Sequence, residues 1–196
     1  APTAPVLLLR GTASADEARA GGVQIIGADQ RFWKLASSPP EISPEPSVIL
    51  NERLARKLGS KVGDELLLRI ENPSLLSRDA PLAKTDDATI AVRLPVSRIV
   101  SDAEFGRFSL TAGQIPPYNA YLPLAYLQEQ LDRPGQVNAL LVGQGTGAPV
   151  EPGPAGEWLR RLWTLEDAGL EVRSLAAPPV TELRTDRVFL DPPGAG

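Results

Sequence analysis

Ser60-Lys61 is the pair in this chain whose residue types come nearest to covalent chemistry. A serine hydroxyl attacks a carbonyl when a neighbouring lysine takes its proton, and that lysine must be buried and desolvated to act as a base. Here the pair falls between a helix stop at Gly59 and a turn at Gly63-Asp64, where a lysine is expected to be exposed and charged. A hydrolase built on this Ser/Lys pair or on carboxylates is therefore the weakest of the readings retained. Two carboxylate pairs, Asp86-Asp87 and Glu166-Asp167, could hold a metal or share a proton. Neither has the alternating spacing of a calcium loop, and both read as solvated surface. Gly143-Gln144-Gly145-Thr146-Gly147 invites comparison with a phosphate loop. Such a loop needs Lys-Ser/Thr and then a helix start, whereas Ala148-Pro149-Val150 follows here. The stretch reads as a flexible connection.

Phe105, Phe108, Tyr118, Tyr121 and Tyr126 form the main aromatic group. It could line a binding groove, but a chain with 5% aromatics is expected to spend them on packing. Trp158 and Trp163 lie five apart on an expected helix, so they cannot share one narrow stripe. One of them is a candidate contact residue.

Composition removes most other chemistry. There is no His, Cys or Met among the 196 residues. A cysteine nucleophile, a disulfide, a zinc finger, a histidine-ligated metal and a Ser-His-Asp triad are all excluded within the chain. Net charge is −4 and no basic run exceeds Arg160-Arg161, which argues against nucleic acid as a partner. No apolar stretch approaches the ~20 residues of a membrane span. The absence of an initiating Met suggests a piece of a larger or processed protein. No catalytic, metal or cofactor residues are assigned, and no cofactor is expected.

The elements that would position such groups are short. Residues 6–13 and 23–27 read as strands, and Asp29 caps a short helix bearing Phe32 and Trp33. Residues 37–46 (SSPPEISPEP) form a hinge-like loop. Residues 48–70 read as strand, helix, turn, strand, with Asn51 as N-cap and Gly59 as the stop. Residues 72–89 are a polar excursion. Residues 90–100 form a strand in which Pro95 marks an edge or bulge. A strand at 119–122 leads through Pro123 into a helix with Leu124, Leu127 and Leu131 on one face. A strand at 137–142, a helix at 157–168 and strands at 171–175 and 187–190 complete the pattern. Helices and strands interleave without regular βαβ repeats, so the expected class is α+β.

Four segments, taken in order, resemble the extracytoplasmic domain of bacterial ABC-transporter permeases of the macrolide-exporter and FtsX type. They are GGVQIIGADQRFWKL (21–35), VILNERLARKLGSKVGDELLLRI (48–70), GRFSL (106–110) and NAYLPLAYLQEQLDRPGQVNALLV (119–142). They carry Val-x-Ile-x-Gly-x-Asp, Ala-x-x-Leu-Gly-x-x-x-Gly-Asp, Pro-Leu-x-x-Leu-Gln and Val-Asn-x-x-x-Val. The resemblance implies a split, porter-like α/β subdomain with an inserted β-rich subdomain, and no catalysis. It also implies a place outside the cytoplasm, next to transmembrane helices of the parent permease. A separate cytoplasmic ATPase would drive the motion, and an extracytoplasmic protein or lipoprotein is a further possible partner. With the loops as boundaries, residues 1–41 and 138–196 are expected to build the porter-like part and 42–137 the insertion. Strands 6–13, 23–27 and 137–142 should then share a sheet. The alternative is a double-psi-type β-barrel adaptor that binds peptide or nucleotide, since the Ala55 to Asp64 block (Ala-x-x-Leu-Gly-x-x-x-Gly-Asp) followed by an aliphatic strand also suits that barrel.

Overall fold

The computed structural model describes residues 2–42, 45–72, 89–111, 113–143, 152–165, 167, 170–176 and 179–185. The chain divides into two compact units, Ala1–Asn72 with Ala88–Pro149, and Pro73–Asp87 with Val150–Gly196.

The first unit begins with a long hairpin. β1 (Thr3–Ala15) and β2 (Ala18–Ala28) pair antiparallel from Ala15↔Ala18 to Leu7↔Gly27. The intervening turn uses Asp16 at φ 45°, a left-handed conformation that a short polar side chain tolerates. α1 (Gln30–Trp33) follows, capped by the Asp29 side chain, which accepts from Arg31 N at 2.8 Å. Next come β3 (Val48–Asn51), α2 (Glu52–Leu58) and β4 (Glu65–Glu71). β5 (Thr89–Val100), β6 (Tyr118–Pro123), α3 (Leu124–Gln130) and β7 (Ala139–Val142) complete the unit.

Six of these strands close a β-barrel in the order β1-β2-β6-β3-β5-β4 and back to β1. Closure pairs both edges of each strand and so removes the exposed rows of N–H and C=O groups that an open sheet leaves. Two neighbours, β2–β6 and β3–β5, run parallel; the other four ring pairings are antiparallel. Alternate residues point inward. Leu7, Leu9, Ile25, Leu50, Leu66, Leu68, Val92, Leu94, Ala120 and Leu122 fill the interior with aliphatic groups. α2 adds Leu54, Ala55 and Leu58 to that core, and α3 adds Leu124, Leu127 and Leu131.

This overturns the expected α+β class and its split porter-like subdomain with an inserted β-rich subdomain. The interleaving of helix and strand was legible, but α1, α2 and α3 have only four, seven and seven residues. Helices that short cannot cover a sheet face as a layer, so the strands bury their apolar face against one another. Two neighbouring strands from before residue 42, β1 and β2, and four from 42–137, β6, β3, β5 and β4, close a single ring. The strands near 6–13, 23–27 and 137–142 do share a sheet, together with four others.

Pro95 sits where β5 changes partner. It lies opposite Glu65 at the last rung with β4, and the register with β3 then skips between Val96 and Arg98. A residue without an N–H is tolerated at such a bulge. Gly27 answers a different demand. A Cβ there would meet Leu127 Cδ2 at 2.9 Å, Leu7 Cβ at 3.2 Å and Leu124 Cδ1 at 3.3 Å, so its bare backbone is the seat on which α3 packs.

The second unit holds α4 (Pro152–Leu162) and a hairpin of β8 (Leu170–Ala176) and β9 (Pro179–Thr185). The expected helix at 157–168 starts earlier because Pro152 and Pro154 suit a first helical turn. It stops earlier because the Asp167 carboxylate accepts from Thr164 N and Thr164 Oγ1, both at 2.8 Å, and folds the chain back. β9 was not anticipated, since a proline start and polar residues mask its alternation. The expected strand at 187–190 lies outside the described residues.

Candidate functional site

The outer face of β2, β3 and β6 carries a second core, built of Ala4, Val6, Ile26, Ala28, Phe32, Trp33, Ile49, Val100 and Tyr121. Each strand thus supplies both cores by simple alternation: Ile25 points in and Ile26 out, Leu50 in and Ile49 out, Leu122 in and Tyr121 out. α1 lays Phe32 and Trp33 on this face. Phe32 lies 5.0–5.9 Å, centroid to centroid, from the rings of Trp33, Phe105, Phe108 and Tyr121. Trp33 and Tyr121 are 4.9 Å apart. Half of the chain's ten aromatic residues (four Phe, three Trp and three Tyr) are spent here.

Buried amides fasten residues 105–117 to these rings. The Asn51 side chain accepts from Leu54 N at 3.0 Å, capping α2, and from Asn119 N at 3.2 Å. Its Nδ2 donates to the carbonyls of Gly106 and Pro117 at 2.7 and 2.9 Å. Asn119, fully buried, shares its Nδ2 hydrogens among the Phe108 and Gly106 carbonyls and the Tyr121 hydroxyl, at 2.9, 3.3 and 3.0 Å. The Tyr121 hydroxyl donates to the Phe105 carbonyl. Burial pushes the Tyr121 phenol far above the ordinary tyrosine range, with the Asn119 hydrogen bond a smaller, opposing influence. Phe105 sits at φ 67°, unfavourable for a bulky side chain. Its ring is held by Phe32 and Phe108 and its carbonyl by Tyr121, which fixes that conformation.

The base of the loop is a polar box. Ser101 donates through N and Oγ to Glu104 Oε2, both at 2.9 Å, and Arg98 donates to Glu104 Oε1 at 2.7 Å. The backbone hydrogen bond from Ser101 lowers the Glu104 carboxyl below its ordinary value; burial opposes this, and the Arg98 and Ser101 side chains reinforce it.

The residues singled out by chemistry are not brought together. Ser60 is buried, its hydroxyl without a partner among the described residues, whereas Lys61 is exposed. Among the described residues no desolvated lysine faces the serine, and the exposed Lys61 is not placed to act as its base. Asp86-Asp87 and 144–147 of the glycine-rich stretch lie outside the described residues, as does Glu166. Asp167 holds the turn at Thr164. Of the five aromatics, Phe105, Phe108 and Tyr121 pack in the ring cluster. Tyr118 lies beneath the Arg53 guanidinium at 4.3 Å, and Tyr126 rests against the barrel core. Trp158 and Trp163 are both more than half exposed. No group of three or more acidic residues that could hold a metal occurs among the described residues.

Beside the cluster, Asp29, Trp33, Ile42, Ile49, Tyr121 and Leu124 border a cleft of about 230 Å³. This is smaller than the roughly 300–1,000 Å³ of small-molecule sites. The described residues here fix an aromatic surface beside that cleft. No helix among the described residues is long and apolar enough to cross a membrane. No protein-family model and no curated protein matches the chain.

Proposed function

We propose that the chain is a non-catalytic binding and coupling barrel, the extracytoplasmic domain of an ABC-transporter permease of the macrolide-exporter and FtsX type. The observation that supports this reading is the job done by each position of the shared motifs. Gly27 seats α3 and Asp29 caps α1. Gly59 takes the left-handed turn that ends α2, and Asp64 accepts from Lys61 N at 2.8 Å. Gln128 donates to the Gln136 carbonyl at 2.6 Å, holding the turn before β7. Asn138 accepts from Leu8 N and donates to Leu8 O, both at 2.8 Å, so that its side chain adds a rung to the β1–β7 ladder. A motif set whose members all fix shape suits a domain that moves and docks. On this reading the partners are the transmembrane helices of the parent permease, a cytoplasmic ATPase and an extracytoplasmic protein.

The second reading, a double-psi-type barrel adaptor for peptide or nucleotide, is favoured by ring closure with two parallel pairings. Thiol accessibility separates the two. The chain has no Cys, so Lys57→Cys on the exposed side of α2 introduces a single thiol into it. In the full-length protein in intact bacterial cells, a membrane-impermeant maleimide should label that thiol over the unsubstituted background. Labelling only after permeabilisation refutes the permease reading and leaves the adaptor.

A further inference from the structure

Ring closure leaves one strand of the seven-stranded sheet outside the barrel. β7 pairs with the first part of β1 in the register Thr3↔Val142, Ala4↔Leu141, Pro5↔Leu140 and Val6↔Ala139. Gly143 N donates to the Pro2 carbonyl at 2.8 Å, which makes Pro2 and Gly143 a hydrogen-bonded pair. Antiparallel ladders alternate, so Ala4–Leu141 and Val6–Ala139 are bonded pairs too. Pro5, which has no N–H, therefore falls where none is needed. By the same alternation the N–H and C=O groups of Leu140 and Val142 point away from β1. No described strand lies on that side.

We propose that this edge is a docking site for an extended segment of a partner protein, which adds as a strand beside β7. Strand edges are commonly protected by Lys, Pro or a bulge; β7 reads Ala-Leu-Leu-Val and has none of these. The Leu140 and Val142 side chains, 62% and 46% exposed, stand on one face at alternate positions. Ala139 and Leu141 anchor the other face on the outer core. The strand is clamped at both ends, by Asn138 on Leu8 and by Gly143 on Pro2, so it is a rigid template. Main-chain pairing supplies affinity, and aliphatic residues at alternate positions of the partner match Leu140 and Val142. A four-residue edge falls well short of the roughly 1,200 Å² at which stable interfaces begin, so a lasting dimer through β7 is ruled out and the partner strand is held weakly and reversibly.

The test uses the full chain and a capped peptide of alternating valine and threonine flanked by lysines. At millimolar peptide, hydrogen exchange at the Leu140 and Val142 amides should slow by about tenfold or more, with the inner amides of β7 unchanged. Leu140→Pro removes one outward N–H and no bond to β1, and should abolish the protection while cross-strand contacts between β1 and β7 persist. Leu140→Asp with Val142→Asp leaves every backbone donor in place and should weaken binding through the lost aliphatic contact. No protection in the folded wild-type chain overturns the proposal. So does equal protection in Leu140→Pro. A wild-type dimer in light scattering that Leu140→Pro dissolves overturns it in favour of self-association.

Discussion

Replacing Asn51 by alanine tests whether buried amides hold the 105–117 loop on the barrel. The side chain makes four hydrogen bonds: two accepted, from Leu54 N and Asn119 N, and two donated, to the Gly106 and Pro117 carbonyls. Loss of the cap costs about 1 kcal/mol. The Asn119 N–H, in a fully buried residue, is left unpaired at about 1–3 kcal/mol. Gly106 O retains its longer bond from Asn119 Nδ2, so the two carbonyls together add about 1 kcal/mol more. The sum is about 3–5 kcal/mol, a large part of the roughly 5–15 kcal/mol that holds a typical domain folded. Trp33 is buried in the first unit, while Trp158 and Trp163 are exposed in the second. Urea unfolding followed by fluorescence in a Trp158→Phe, Trp163→Phe background therefore reports the barrel alone. Asn119→Ala removes the other side-chain donor to Gly106 O, so only the double variant strips that carbonyl of both and it should cost more than the two single losses added. A loss below about 1 kcal/mol for Asn51→Ala, or strict additivity, refutes the network.

Gly106→Ala should destabilise more than Gly27→Ala. The Gly106 Cβ would meet backbone, Ser101 O at 2.6 Å and Val100 O at 3.0 Å, whereas at Gly27 the nearest atom is the end of the Leu127 side chain; thermal melting should place the latter at about 1–3 kcal/mol and the former beyond it. Burial holds the Tyr121 phenol far above its ordinary range, so spectrophotometric titration should show a tyrosine step that appears only when the barrel unfolds, and Tyr121→Phe should remove it. Glu104 is held below its ordinary value of 4.5 chiefly by the Ser101 backbone hydrogen bond. Its stabilisation is therefore present above that value and fades as pH falls through the lowered folded value. Glu104→Gln should flatten the decline in urea midpoint below about pH 4.5, and an unchanged slope would show that the box carries no linkage.

Local structure was legible wherever one residue type has one physical use. Asn51 caps, Gly59 ends the helix, and the 3–4 spacing of Leu124, Leu127 and Leu131 names a buried face. A barrel was legible only as the alternative that the Ala55 to Asp64 block suggested, and its strand order was not, because alternation within a strand tells which side chains share a face but not which strand lies next to it. The two cores illustrate the limit. Ile25-Ile26 and Leu50 beside Ile49 read as continuous apolar runs, and only pairing geometry separates their inward and outward members. Asn119 and Asn138 were read as ordinary strand residues. Their single signal was an amide at the head of an apolar strand, and both turned out to bond distant backbone. The aromatics at 105, 108 and 121 were correctly set down to packing, but their meeting with Phe32 and Trp33 depends on contacts some 70–90 positions apart, which spacing cannot reveal.

The pairing of Thr3 with Val142 has a mechanical consequence. The two ends at which the polypeptide enters and leaves the β1–β7 ladder are neighbours, so a pull that separates them loads its rungs one after another instead of all together. The ladder would open like a zip from Gly143 towards Asn138 before the load reaches Leu7, where β1 joins the ring. Whatever force reaches the molecule through these two ends would be felt first by four residues of strand, and the ring would then turn as one body about the Asn138 clip.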